Sequence, residues 1–388
     1  MIEQSNKLNA GLLVNYVLHA IINFLFIILF FFATTNQLID FPIDKIMMVL
    51  LTLAIVVVYP ESKIFNAKEF TLVICVFGIA ATSSIVNVIF FPMTFFPAIG
   101  LIFSFVVSRH PKIILNTIYY ALLVHMVLAI VFLLLAYAGV PNHYVYTLIG
   151  KGFNLYSERG FTATVQTFGT LCLTWLLIYF FRRDMGMNTF IDKIFFCINC
   201  IAILNALNRN SYLFWMLILF FKERKLFITI IIFLGLILIK FWQQIIGFLT
   251  VTSSLTSRIE LLQGFKLSFI ESHSFLVYLF GRGTNVMAPD IVAKVKWTFI
   301  KTIENGYAML LHTFGSVGLL FYVCVSFYLI FMFLKVNKWA EAFILLYFFF
   351  ITPVFTQEFV SITFYFLLAV MFLNYNLSNK SSERVALA

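Results

Sequence analysis

Charge is what this sequence has least of. Only 11% of its 388 residues are Asp, Glu, Lys or Arg, where a soluble domain carries about 25%. Hydrophobic residues make up 62%, and the mean hydropathy is +1.02. Too few polar groups remain to cover a water-soluble globule, and disorder, which needs low hydrophobicity, is excluded by the same figures. Glycine (17) and proline (8) are far too sparse for collagen. Cysteine is scarce as well: Cys75, Cys172, Cys197, Cys200 and Cys324 all fall in apolar stretches, so no disulfide framework is written here. Cys197 and Cys200 form one C-x-x-C, but without a second Cys or His pair the spacing reads as helix packing. No metal or cofactor is expected. What is present in abundance is apolar sequence, and it points to an all-α polytopic membrane protein forming one integral membrane domain over 1–388.

Runs of about 17–25 apolar residues are long enough to cross the hydrocarbon core. They occur near 11–33, 46–59, 70–90, 92–107, 113–138, 162–181, 226–249, 306–334, 340–356 and 359–375. The first is too long for a signal-peptide core and has no small-residue cleavage site behind it, so it is expected to stay as a span. The run 193–221 is interrupted by Asn205, Asn208, Arg209, Asn210 and Ser211. It reads as two short helices meeting at a polar tip, giving about 12 transmembrane helices with both termini cytoplasmic. A single tilted span there would invert everything after it. No repeat relates the two halves.

The net charge of +10 is read by side of the membrane rather than as affinity for nucleic acid. In this layout 15 of the 26 Lys and Arg fall in cytoplasmic segments with 8 acids, a net +7, and the other 11 face out with 8 acids, a net +3. The Lys222, Arg224, Lys225 cluster supports the two-helix reading of 193–221. Two segments then lie outside: a periplasmic loop at 139–161 and a large one at 250–305.

An ionisable group at membrane depth is costly and must face water or a partner. The expected helices flanking Arg209 rise only about 22 and 17 Å, short of the ~30 Å core. The tip should therefore be recessed in an outward pocket, where a guanidinium suits a phosphate through bidentate hydrogen bonds. The plainer reading is an arginine snorkelling to the interface. Arg159 closes the 139–161 loop within Ser157-Glu158-Arg159-Gly160.

In the large loop, Ser257-Arg258-Ile259-Glu260 matches a capping box. Ile259, Leu262, Phe265 and Phe269 then define an amphipathic helix lying on the membrane surface. Leu279-Phe280-Gly281-Arg282-Gly283 is too weak for a phosphate loop; its glycines are expected to make a tight turn that aims Arg282. Ile303-Glu304-Asn305-Gly306-Tyr307 leads into a long span carrying His312, Gly315 and Gly318, with Glu304 where the helix dipole favours an acid. His273 lies in the loop, and His312 falls at i+8 from Glu304. Asn15, His19 and Asn23 form a stripe along the first span that is expected to hydrogen-bond between helices.

Taken together, the many spans, Asn208-Arg209-Asn210-Ser211, the segment Arg258 through Lys266, Leu279 to Gly283, and Glu304-Asn305-Gly306-Tyr307 with Gly315 and Gly318 resemble the O-antigen polymerase family, within the wider group that includes O-antigen ligases. The resemblance covers 155–320 in motif and the whole chain in hydropathy. It departs at Glu304, where the ligases place a histidine, which counts against the ligase. It implies a metal-independent glycosyltransferase of the bacterial inner membrane, joining undecaprenyl-diphosphate-linked oligosaccharide repeat units on the periplasmic face by en bloc transfer. The implied partners are that lipid-linked substrate, membrane lipid, and a flippase and chain-length regulator of the same pathway, with no nucleic acid.

Carried onto this chain, the resemblance gives Arg209, Arg159, Arg258 and Arg282 as cations for the leaving diphosphate. Glu304 is then the general base, with His312 or His273 as alternatives, and Asn305 and Tyr307 bind the acceptor. The competing readings are a lipid-linked oligosaccharide flippase or other transporter, and the ligase.

Overall fold

A bilayer offers no water to backbone N–H and C=O groups, so apolar runs of this length close their hydrogen bonds internally as helices. The computed structural model describes residues 2–35, 43–60, 65–89, 91–147, 156–235, 262–284, 286–288, 291, 303, 305–356 and 361–386. The chain passes through α1 (Ile2–Ala33), α2 (Ile43–Val58), α3 (Ala67–Val86), α4 (Phe96–Ser108) and α5 (Tyr119–Tyr137). A 3-10 turn, Pro92–Phe95, leads into α4, and a π turn, Ile113–Ile118, leads into α5. Two short strands follow, β1 (Val145–Thr147) and β2 (Tyr156–Glu158), then α6 (Val165–Asp184), α7 (Phe190–Asn205) and α8 (Arg209–Lys222). Beyond helical segments at 224–235 and 262–268 come α9 (Phe275–Phe280), α10 (Gly306–Lys335), α11 (Trp339–Leu346), a π turn (Tyr347–Ile351), α12 (Thr352–Phe355) and α13 (Ile362–Ala386).

Among the described residues, four helices are long and apolar enough to cross a membrane: Ala67–Val86, Ile113–Tyr137, Val165–Asp184 and Gly306–Lys335. His19–Ala33, Pro92–Ser108 and Trp339–Val354 are shorter apolar helices. The chain is thus a predominantly helical protein with the character of an integral membrane protein.

Contacts at the helix ends fix an up-and-down order. At one end, rich in Lys and Arg, Arg109 pairs with Glu69, Arg183 with Glu223, and Lys222 with Glu341 at 2.9 Å. At the opposite end Ser83 bonds Thr313, Ser157 bonds Ala206 and Asn305 bonds Val354. Between the two ends, α4, α5, α6 and α13 supply much of the buried core. There Trp175 stacks between Tyr119 and Tyr179, with ring centroids 4.9 and 5.6 Å apart.

Several details depart from expectation. The 139–161 segment is not plain loop: β1 and β2 pair antiparallel within it, Val145 opposite Glu158 and Thr147 opposite Tyr156. The span expected at 306–334 is one element broken inside, since Gly315 adopts φ 67°, ψ −166°. His19 and Asn23 of the expected interhelical stripe are exposed on the outside of α1. In the large loop, Ser257 through Glu260 and the outer half of the 226–249 run lie outside the described residues. Of the expected stripe, Phe265 and Phe269 face inward with Gly264 and Ser268, while Leu262 is exposed.

Candidate functional site

The polar interruption at 205–211 ends one helix and starts another, as the sequence predicts. Leu207 takes a left-handed conformation (φ 48°), and Asn208 caps α8 by accepting from the Asn210 N–H at 3.0 Å. With 16 and 14 residues, α7 and α8 rise about 24 and 21 Å at 1.5 Å per residue, so neither crosses a ~30 Å core alone. The tip is braced on both sides. Tyr347 donates its hydroxyl to Asn210 Oδ1 at 2.9 Å, and Ser211 sits so close to α6 that a Cβ on Gly169 would lie 1.9 Å from its Oγ.

Arg209, the first residue of α8, is exposed and has no hydrogen bond or ion pair among the described residues. A cation at a helix N-terminus is opposed by the helix dipole. Nothing in the local packing therefore accounts for an arginine here.

The β1–β2 ladder reaches the same tip. Ser157 donates to the Ala206 carbonyl at 2.6 Å, taking up one of the carbonyls left free at the end of α7. The following turn is held by His125 of α5. Its Nε2 accepts from the Phe161 N–H at 3.0 Å, and a side chain at Gly160 (φ 52°) would strike the same ring. Arg159 lies half-buried at this turn, donating Nε to the His143 carbonyl at 3.1 Å; burial lowers its guanidinium below the usual arginine range. Beside it Glu158 is fully enclosed with no hydrogen-bond partner for either carboxylate oxygen, and burial pushes its carboxyl up to about 8.

Arg282 belongs to a second cluster, built on the break at Gly315. A helix broken at one residue leaves carbonyls without their helical donors. Those of His312 and Thr313 are taken by the Arg282 and Gly283 N–H groups at 2.6 and 3.1 Å, and Ser83 also donates to Thr313 O at 2.6 Å. Only glycine fits such an approach: a Cβ on Gly281 would lie 2.4 Å from the Thr313 carbonyl carbon, and one on Gly315 would lie 2.3 Å from Leu279 O. Gly281 and Gly283 both take positive φ, but the segment runs alongside the break with a bend at Gly283 rather than as the expected tight turn, and the Ser268 carbonyl accepts from Arg282 Nε at 2.5 Å.

His312 is enclosed in this cluster with both nitrogens occupied. Nδ1 meets the Thr284 carbonyl at 2.6 Å, so it carries the proton, and Nε2 accepts from Ser268 Oγ at 2.6 Å. In this conformation the imidazole ties the loop helix to α10.

Of the remaining site candidates, His273 is exposed at the end of a 3-10 turn, and Glu304 and Arg258 lie outside the described residues. Asn305 is the N-cap of α10: Oδ1 accepts from Ala308 N–H and Nδ2 donates to Val354 O, both at 2.9 Å. Tyr307 donates to Phe350 O at 2.8 Å. Arg209 and Arg159 therefore stand at one cluster and Arg282 and His312 at another. The π turn after α11 touches both sides, Tyr347 reaching Asn210 and Phe350 reaching Tyr307. Next to the break, a narrow apolar cleft of about 100 Å³ opens between α3, α4, α10 and α13, lined by Ile79, Leu101, Phe314 and Tyr365.

Sequence reading passed over Glu158 as a site residue and did not single out His125. The signal for His125 was present, an ionisable residue inside an apolar run. Glu158 gave none, because only the three-residue strand buries it.

No family model matches the chain, and no curated protein or solved structure matches it. Fold and site define a class on their own terms: a helical membrane protein with an exposed arginine at the tip of a helix pair too short to span.

Proposed function

We propose that this protein is a membrane-embedded glycosyltransferase acting on lipid-diphosphate-linked oligosaccharide, an O-antigen polymerase with about 12 membrane passes and its site on the periplasmic side of the inner membrane. The observation that carries the reading is Arg209: exposed, without an acidic partner among the described residues, and set where the helix dipole opposes it. Such a cation is placed for an anionic ligand. A departing polyprenyl diphosphate develops negative charge, and preorganised guanidinium groups in a low-dielectric site stabilise it.

In this reading Arg209 grips the diphosphate of the growing chain and Arg159 stands beside it at the mouth of α6. Arg258 and then Arg282 are the further candidates for the same leaving diphosphate. Asn305 and Tyr307 line the acceptor's approach. Glu304 removes the acceptor hydroxyl proton, a contribution on the order of 10²–10⁴ in rate. His312 and His273 stand as alternative bases, His312 only after release from Ser268. The apolar cleft beside Phe314 receives isoprenoid tail.

The test is the surface polysaccharide of a strain lacking this gene. A polymerase predicts lipid-linked core capped by a single repeat unit, restored to long chains by the wild-type gene. Unchanged chain length in the deletion strain contradicts the reading. Loss of all capping, with repeat units retained on the cytoplasmic face, would favour the flippase.

A further inference from the structure

Glu158 has 0% of its surface exposed, and neither carboxylate oxygen finds a donor among the described residues. A carboxylate that leaves water without a counter-charge loses several kcal/mol, so it must be neutralised or paired. Among the described residues, the elements around it supply no cation. From β1, the residue opposite Glu158 is Val145, which carries no charge. From α5, His125 is itself neutral, since Nε2 accepts from the Phe161 N–H and the proton therefore sits on Nδ1, directed at Thr34 Oγ1 at 2.7 Å. Tyr137, also of α5, accepts from the Tyr156 N–H.

From α6 comes the buried thiol of Cys172, near enough to feel the charge of Glu158, while Arg182, Arg183 and Asp184 lie at the far end of that helix. The charged residues of α7, Asp192 and Lys193, are likewise at its far end. Arg159, next in the chain, gives its guanidinium to the His143 carbonyl, and Arg209 beyond Ala206 is exposed.

What the enclosure does hold is a surplus of acceptors. Asn199 donates Nδ2 to the carbonyl of Cys172 at 2.8 Å and leaves its buried Oδ1 unpartnered. The two carboxylate oxygens of Glu158 and the amide oxygen of Asn199 thus lack donors, while Asn208 Nδ2 and, one turn along α6 from Cys172, Trp175 Nε1 lack acceptors. The carbonyl end of α7, a partial negative charge that favours cations, points the same way.

We propose that Glu158 binds a small monovalent cation, a proton or a sodium ion, and that this bound charge is what keeps the β1–β2 ladder seated on α5, α6 and α7. The upward displacement of the Glu158 carboxyl to about 8 accords with a bound proton at neutral pH. Ser157 on one side holds the Ala206 carbonyl and Arg159 on the other begins the turn, so occupancy of this site sets the position of both arginines near the tip. The inference stands whether or not the chain transfers sugars.

The experiment uses the full chain in lipid nanodiscs, comparing wild type with Glu158→Gln. Thermal unfolding is followed from about pH 6 to about pH 9 in choline chloride and in equimolar sodium chloride. An acid whose value is higher in the folded state stabilises fully at low pH and loses that contribution as pH rises through the folded value. The wild-type midpoint should therefore fall in choline from about pH 6 to about pH 8 and level off above it. Sodium restores it at high pH if the ion replaces the proton, and has no effect if the site takes protons alone. Glu158→Gln should be flat in both salts. A pH and sodium profile shared by wild type and Glu158→Gln overturns the proposal. Should the variant not fold, infrared spectra of the wild type decide: a protonated-carboxyl band that bleaches through about pH 8 or on adding sodium is expected. A spectrum with no such band at neutral pH in sodium-free buffer overturns it.

Discussion

Single residues here are explained best by what a substitution would leave unmade. Arg209→Ala removes a group that no neighbour among the described residues bonds, so membrane insertion and thermal stability should stay at wild-type levels while polymer formation is lost. Arg209→Lys keeps the charge but not the planar fork that matches a phosphate bidentately. It should retain a small fraction of wild-type chain elongation, measured as the polysaccharide ladder on a gel. Gly315 is the opposite case. Its φ of 67° and ψ of −166° lie where essentially only glycine goes, and a Cβ would lie 2.3 Å from Leu279 O. Gly315→Ala should cost at least ~1–3 kcal/mol from backbone strain alone. The readout is a lowered unfolding midpoint and reduced folded yield, and a wild-type midpoint would show that the break in α10 does not need glycine.

At the scale of elements, the described structure is tied at its two ends by different means. At the Lys- and Arg-rich end, Glu341 of α11 accepts from Lys222 of α8 at 2.9 Å and from Asn374 of α13 at 3.0 Å, with its side chain only 5% exposed. Glu341→Ala leaves a half-buried ammonium without its carboxylate, and removing one partner of a buried pair costs about 3–5 kcal/mol. Because Lys222 is 17% exposed and also lies 3.6 Å from Asp184, the loss should fall toward or below the lower figure. A paired Lys222→Met, Glu341→Met variant should recover part of it, measured by thermal unfolding in one detergent. Recovery of nothing would mean that Asn374, rather than the ion pair, is what Glu341 serves.

How much of this was legible in the sequence also divides by element. Long apolar runs announced themselves: 70–90 became Ala67–Val86, 113–138 became Ile113–Tyr137, and the polar tip parted α7 from α8. Hydropathy suffices there because the bilayer dictates helix and length. The β1–β2 ladder was not legible, since three-residue strands carry too short an alternation to read. Nor was the break in α10, where a glycine in an apolar run is ordinary until another backbone approaches it. The tie between Ser268 and His312 spans 44 residues and depends on where the loop helix lands, which no local pattern states.

For the whole molecule, the account requires the β1–β2 ladder and the tip of α7 and α8 to face the periplasm and the Lys222 end to face the cytoplasm. Single cysteines introduced as Tyr146→Cys and Lys225→Cys in a cysteine-free background test this. Both positions are exposed, so access depends on side alone. A membrane-impermeant thiol reagent added to intact cells with a permeable outer membrane should label position 146 and spare 225; the reverse pattern would put the tip in the cytoplasm.

The central claim is that the arginine at this tip serves the transfer of lipid-diphosphate-linked sugar. Its most direct test is reconstitution of the purified chain in nanodiscs with polyprenyl-diphosphate-linked repeat units as the only substrate. The account predicts a ladder of lengthening glycans with wild type, with release of free polyprenyl diphosphate, and neither product with folded Arg209→Ala. Equal ladders from both proteins, or none from the wild type with intact substrate, would contradict it.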